Sequence, residues 1–532
     1  MRALLTLVCA ALALPVLGVL GAWLAFDAGS AATLRHQAGT VLGDYLVQTA
    51  VLAVGVALGT MLLGTATAAA VTLFDFPGRR GFEWALLLPL AMPAYVLAYA
   101  WTDALQPAGV LPTALRLRLG LAAAAWPDLR SLWGAVILFV LCLYPYVYLL
   151  TRTALAERGV QMMEAARLLG AGTRRRVLRV ALPLARPAVA AGVALALMET
   201  LADYGVGAYF GLSTLSTGIL KAWLVMDDRI ASAQLASLLL LAVALLLAAE
   251  QRAQARLRYA ASRPTQRADA RPLRLRGRAA AAAVALCTLP VAFGFVLPVA
   301  WLLRMLWAEA GNAELGLPLA RFVDWGAASL RLAGGAALLA AAIALALALV
   351  LRHGRAGRLL ALLGRLVGLG YAVPGAVIAV GLLLPLGWLQ QRWPQVGWVA
   401  AVTGTALGVI WAYLVRFTAV AQQSVQAGLA RVPTSIDESA RLLGAGPLRL
   451  IGRVHLPLLR RSAAAAALLV FVDAMKELPA TLVLRPFGSD TLAVVAYNLA
   501  RDERLGEAAL PSLAIVAVGM LPVLLLSRTL RQ

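Results

Sequence analysis

The sequence predicts an all-α polytopic membrane protein, with about twelve transmembrane helices in two pseudo-symmetric halves of six. Three observations lead there. The 532 residues are 62% hydrophobic and only 14% charged, whereas a soluble domain carries about a quarter charged residues. Apolar runs of about 20 residues recur along the whole length, each long enough to cross a hydrocarbon core about 30 Å thick. One polar phrase also occurs twice, as "EAARLLGAG" from Glu164 and "ESARLLGAG" from Glu438.

Taken in order, the first run, from Ala3 to Phe26, is longer than a signal-peptide core and lacks a cleavage site, so it reads as a retained span. Runs near 46–73, 83–105, 132–151, 184–205 and 231–250 complete a first half, 1–250. Pro89 and Pro93 interrupt the third and predict a kink. The stretch 251–278 carries nine arginines and two prolines between apolar runs and reads as a basic cytoplasmic linker. Runs near 279–303, 327–351, 366–388, 398–416, 462–482 and 508–527 form the second half, 279–532, with Pro374 inside the ninth. Placing both termini in the cytoplasm puts most of the arginines inside, as cytoplasmic loops require. The formal charge of +22 therefore reflects topology and does not imply nucleic acid. Cys9, Cys142 and Cys287 fall in apolar runs at unrelated spacings and predict packing, with no disulfide or zinc framework.

The repeat is longer than nine residues. "EAARLLGAGTRRRVLRVALP" ends at Pro183, and "ESARLLGAGPLRLIGRVHLP" ends at Pro457 without a gap. The same register carries Glu199 onto Asp473 and Asp203 onto Glu477. The loops, about 153–183 and 422–457, each read as two short helices broken at glycine. Ser435 with Glu438 makes a capping box after Pro433. Gly444 and Gly446 supply the exit, Pro447 suits the next first turn, and Thr173 caps the second helix of the first copy. Ala165, Ala166, Ser439 and Ala440 keep the first helix thin enough for another backbone to approach.

The pattern E-x-A-x-x-x-G-x(9)-V-x-L-P, present twice, resembles the EAA loop of binding-protein-dependent ABC importer permeases of type I. There the loop is a coupling helix that docks on an ATPase subunit. The resemblance implies that Glu164, Ala165, Ala166 and Gly170, closed by Pro183, dock on one ATPase copy. Glu438, Ser439, Ala440 and Gly444, closed by Pro457, dock on a second. Ser439 departs from the usual alanine, and Val180 and Val454 replace isoleucine. A phosphate-cradling loop needs Gly-Lys-Ser/Thr, but the only lysines, Lys221 and Lys476, follow Leu220 and Met475. If transport is ATP-driven, as the resemblance implies, ATP and magnesium belong to separate subunits, and this chain is expected to bind no cofactor and catalyse no bond chemistry.

Beyond the fifth and eleventh spans stand "METLADYGVGAYFG" from Met198 and "VDAMKELPATLVLRPFG" from Val472. At about 1.5 Å per residue from Pro183, Glu199 lies roughly 24 Å and Asp203 roughly 30 Å along a straight helix. Glu199, Asp203, Asp473 and Glu477 could thus line one outer vestibule, with Tyr204 and Tyr209 adding phenols. Such oxygens are hard ligands suited to hard cations. The same acids could equally sit in interfacial water, with Lys476 pairing Asp473 or Glu477. These segments are similar to those of ferric-iron ABC importer permeases, most closely from Leu143 to Leu235 and from Ile436 to Leu526. The resemblance implies a bacterial inner-membrane subunit that takes Fe3+ from a periplasmic binding protein by alternating access; the oxygen donors themselves predict passage without a tight metal site. Thiamine or another small solute is the alternative cargo, and an ATP-independent secondary transporter the alternative mechanism. His36, His353 and His455 are isolated and predict no metal cluster.

Overall fold

A computed structural model describes residues 2–107, 109–120, 126–156, 160–260, 272–311, 317–352, 357–395 and 397–530. These are helical almost throughout. Eight helices among them are long and apolar enough to cross a membrane alone, and the pair Arg79–Ala91 and Ala94–Leu105, bent by 91°, passes the same test only when the two are taken together. The other three expected spans are also helical, as Gly375–Arg392, Ala406–Leu429 and Leu456–Met475. The fold is an all-α membrane bundle of about twelve helices.

Proline accounts for the irregular places. Met92 and Val373, the residues before Pro93 and Pro374, are extended, as the proline ring requires of its predecessor. A short 3-10 turn precedes each, Leu88–Ala91 and Gly370–Ala372, and a new helix starts after each. The kinks expected in the third and ninth spans are therefore full breaks, placed alike in both halves. A milder distortion recurs before three Leu-Pro pairs. Val177–Ala181, Ile451–His455 and Ala292–Val296 are π-helical turns, followed by Pro183, Pro457 and Pro298. Proline cannot donate a hydrogen bond and its ring clashes with the carbonyl four residues back. The helix relieves this by widening for one turn, so that Leu182 donates to Val177 and Leu456 to Ile451.

Contacts cluster into two compact units, and neither is a continuous stretch of chain. One takes Met1–Ala38, Gly218–Leu240 and Pro318–Val495; the other takes Gly39–Thr217, Leu241–Leu317 and Ala496–Gln532. Each is thus completed by helices from the opposite sequence half. In the second unit, Leu42–Leu73 packs on Leu132–Ala154 through Gly55, Gly59 and Gly64. A Cβ on Gly64 would lie 2.8 Å from the Tyr144 carbonyl oxygen. Gly192 brings the helix Leu182–Ala202 equally close to Val147, where a Cβ would lie 2.6 Å from Cα. Small residues at such spacing are how helices associate in lipid, where no hydrophobic drive exists between them. In the first unit, Gly18 and Gly381 let the helix Arg2–Gly21 rest against the backbone of Gly375–Arg392. Trp411 Nε1 donates to the Ala11 carbonyl at 3.1 Å.

Of the expected linker, residues 261–271 lie outside the described residues. Its beginning continues the helix Arg229–Ala260, and its end, Leu273–Arg274, pairs in parallel with Phe74–Asp75 at the end of the second span.

Candidate coupling loops and span-end carboxylates

Each repeated phrase folds as the glycine spacing requires. The helices are Val160–Leu168 and Thr434–Leu442; residues 157–159 of the first loop lie outside the described residues. Gly170 and Gly444 take φ of 78° and 80°, a conformation other residues adopt only with strain. Gly170 N–H then donates to Arg167 O at 2.9 Å and Ala171 N–H to Ala166 O at 3.0 Å; the second copy repeats this with Gly444 to Arg441 and Ala445 to Ala440, both at 2.9 Å. This is the Schellman closure of a helix end. Glu164, Ala165, Glu438 and Ser439 are exposed, and Ala166 and Ala440 half-buried.

The closure has a consequence that the motif letters alone do not announce. Leu168 and Leu169 are 89% and 88% exposed, and Leu442 and Leu443 are likewise 89% and 88%. Two apolar side chains stand out from each loop at matched positions. The signal was the identical "RLLGAG" in both copies. Pro183 and Pro457 sit just inside the helices that follow the π turns.

Two local expectations are corrected. The second loop helix starts at Thr434 with Pro433 as its N-cap, and no side chain caps it, so the Ser435–Glu438 box does not form. The neighbouring acid, Asp437, turns inward instead. It is buried, and it meets Arg352 Nε at 2.7 Å and His455 Nε2 at 3.2 Å. His455 is fully buried; His353 lies outside the described residues. In the first loop Thr173 begins the helix Thr173–Arg176 behind Gly172, and its hydroxyl accepts from Arg176.

At the far ends of the helices that leave these loops, Asp203 and Glu477 do the same work. Asp203 Oδ1 accepts from Val206 N at 2.9 Å and starts the short helix Gly205–Tyr209. Glu477 accepts from Ala480 N and Thr481 N, both at 3.0 Å, and from the Thr481 hydroxyl at 2.7 Å, starting Pro479–Leu484. Glu477 is buried, and Arg416 Nη1 lies 3.5 Å from it. Asp473, half-buried, pairs with Lys476 at 3.1 Å. Glu199 is half-buried on Leu182–Ala202. Tyr204 accepts from the Tyr497 hydroxyl at 3.3 Å. Tyr209 is buried, accepts from Arg130 Nη2 at 3.1 Å and lies under that guanidinium, 4.8 Å from ring centre. Among the described residues no cluster of three His, Cys, Asp or Glu could hold a metal ion.

The family model for the inner membrane component of binding-protein-dependent transport systems matches residues 60–258 and again 343–532. The chain belongs to this family. The two matches cover the two loops and the helices that follow them. This permease is similar to the Fe(3+)-transport system permease protein FbpB 2 of Haemophilus influenzae, at 25% identity over 498 residues, covering 92% of this chain and 90% of that one. It is also similar to the putative 2-aminoethylphosphonate transport system permease protein PhnV of Salmonella typhimurium, at 30% identity over 269 residues, 48% of this chain and 96% of that one. PhnU of Salmonella choleraesuis is 27% identical over 159 residues, 30% of this chain and 56% of that one. One half of the permease thus matches nearly the whole of PhnV, as a duplicated chain should.

A cluster that sequence reasoning missed sits beside Tyr209. Arg130 Nη1 and Nη2 reach Glu503 at 2.8 and 3.1 Å, and Glu503 itself has φ of 60°. The hydrogen bonds from Arg130 hold the Glu503 carboxyl below its ordinary range and raise the guanidinium in return. A carboxyl lowered by folding contributes above its unfolded pKa, and that contribution is lost as pH falls through the lowered value. The Tm difference between the permease and Glu503→Gln should stay flat from about pH 8 to about pH 5 and close below about pH 4. It should correspond to less than about 1 kcal/mol, because Glu503 is 65% exposed. A difference that widened on acidification would contradict the pairing.

Proposed function

We propose that this permease is the membrane-spanning subunit of an ATP-driven importer that moves ferric iron into the cytoplasm. The observation that carries the reading is the pair of matched loops, each presenting an exposed glutamate and two exposed leucines behind a Schellman turn. Two such surfaces suit two copies of one ATPase, and the chain has no phosphate-cradling loop of its own. Both termini lie in the cytoplasm, as the arginine distribution favours. A binding protein delivers the cargo on the other side. Nucleotide binding draws the ATPase copies together, and the loops pass that motion to the helices they begin.

Iron as cargo is supported by the likeness to a protein named for Fe(3+) transport along 92% of the chain. Glu199, Asp203 and Tyr204 supply oxygen donors of the right hardness on one helix end and its exit, while Tyr209 is taken up by Arg130. A second reading, import of a small phosphonate-like anion, is favoured by one observation: 48% of the chain is matched at 30% identity by PhnV. Liposomes carrying the permease, its ATPase and its binding protein should accumulate 55Fe only with ATP. Thiamine and 2-aminoethylphosphonate should be left outside. ATP-driven uptake of either in place of iron would change the cargo, and uptake without ATP would remove the importer reading.

A further inference from the structure

The two loops are copies in sequence and shape, yet they are seated on opposite chemistry. In the first, the inward-facing position is Met163, which packs with Ala69, Leu73, Leu155, Ala181 and Ala185 in an apolar cluster. In the second, the same register puts Asp437 where Met163 stands and His455 where Ala181 stands. Both are buried, and Arg352 completes the group.

Arg352 does more than neutralise Asp437. Its Nη1 donates to Leu429 O at 3.1 Å, and its Nη2 to Val432 O at 2.9 Å and Pro433 O at 3.1 Å. Leu429 ends the helix Ala406–Leu429, where carbonyls lack partners within the helix and a cation is favoured. One planar fork at the end of Leu319–Arg352 therefore joins three elements: its own helix, the end of the tenth span, and the first turn of the loop helix. His455, at the last position of the π turn that leads into Leu456–Met475, brings its Nε2 to 3.2 Å from Asp437 Oδ1.

Stability alone does not call for this group. An apolar cluster does the same job in the first copy, and replacing a buried ion pair with well-packed apolar side chains is commonly neutral or stabilising. A charged group differs in being directional. Apolar surfaces tolerate a small slide, whereas a guanidinium holding one carboxylate and three carbonyls fixes both distance and angle.

We propose that Arg352, Asp437 and His455 are positioning residues that lock the second loop to its three helices, so that the two loops transmit motion unequally. The first is a compliant seat and the second a rigid one. The proposal rests on the importer reading above.

The test uses the reconstituted complex of permease, ATPase and binding protein, and reads two quantities: ATPase co-purification, and iron accumulated per ATP hydrolysed. The triple variant Arg352→Leu, Asp437→Met, His455→Ala gives the second loop the first loop's chemistry. It should still bind the ATPase, while iron per ATP falls by about tenfold, a typical size for a coupling term. Met163→Leu in the first loop should leave the ratio within about twofold. Should the triple variant fail to assemble, Arg352→Lys serves instead. It keeps the charge on Asp437 but loses the fork, and should lower the ratio several-fold with assembly intact. A wild-type ratio in either assembled variant would overturn the proposal. A wild-type complex showing no ATP-driven uptake would overturn the importer reading itself, before any variant is made.

Discussion

Glu477→Ala should unfold the first unit's helix junction and cost about 3–5 kcal/mol, because it removes the carboxylate that a buried cation sits against. Arg416 has a side chain only 10% exposed and sits against a carboxylate only 1% exposed. The substitution also leaves the amides of Ala480 and Thr481 without their acceptor, a capping loss of about 1 kcal/mol. Gly375 shows how closely the site is built, since a Cβ there would collide with the Glu477 carboxylate. Removing both charges together, as Arg416→Met with Glu477→Gln, should recover much of the loss. Asp473→Asn offers the contrast: its pair with Lys476 is more exposed, 21% and 27%, and such pairs are worth about 1 kcal/mol or less. Thermal unfolding of the purified complex, run beside iron uptake, separates the two roles. If Glu477→Ala kept a wild-type Tm but abolished uptake, Glu477 would be a cargo ligand and not a strut.

Glu164→Ala combined with Glu438→Ala should release the ATPase from a permease that remains folded. Both carboxylates are exposed on short surface helices, so their removal disturbs no buried group. Were each a docking hot spot at about 2 kcal/mol, the two together would weaken binding by at least about a hundredfold. Co-purification in detergent reads the loss, and an unchanged Tm shows that folding is spared. Each single variant should lose less, since the other loop is left intact. Changing Leu168, Leu169, Leu442 and Leu443 to serine should produce the same release if those side chains insert into the ATPase. Full retention of the ATPase by the double glutamate variant would place the docking surface elsewhere.

Most of the fold was legible because membrane helices announce themselves by length and apolarity, and the duplication by an ungapped repeat. Gly170 and Gly444 were readable as helix exits because only a residue without Cβ suits that turn. Pro93 and Pro374 were readable as bends, though their full breaks depend on the extended residue before each. The caps formed by Asp203 and Glu477 had a local signal, an acid shortly before a new helix, with Pro479 at its start. What stayed hidden was long-range. Arg130 meets Glu503 across 373 residues, and Arg352 meets Asp437 across 85. No periodicity encodes such pairings, and the capping-box pattern pointed to Glu438 while the fold used its neighbour. The composition of the two compact units was hidden for the same reason.

Those interleaved units carry a consequence for how the chain is made. The first helix lodges against Gly375–Arg392 and hydrogen-bonds to Trp411, 400 residues downstream of Ala11. At about 5–20 residues per second, a ribosome needs roughly twenty to eighty seconds to supply that partner. Until then the helix waits alone among lipid chains. Its mean hydropathy of 2.6, with only a third of it buried even in the finished protein, suits a segment that must be content in the bilayer long before its neighbours arrive.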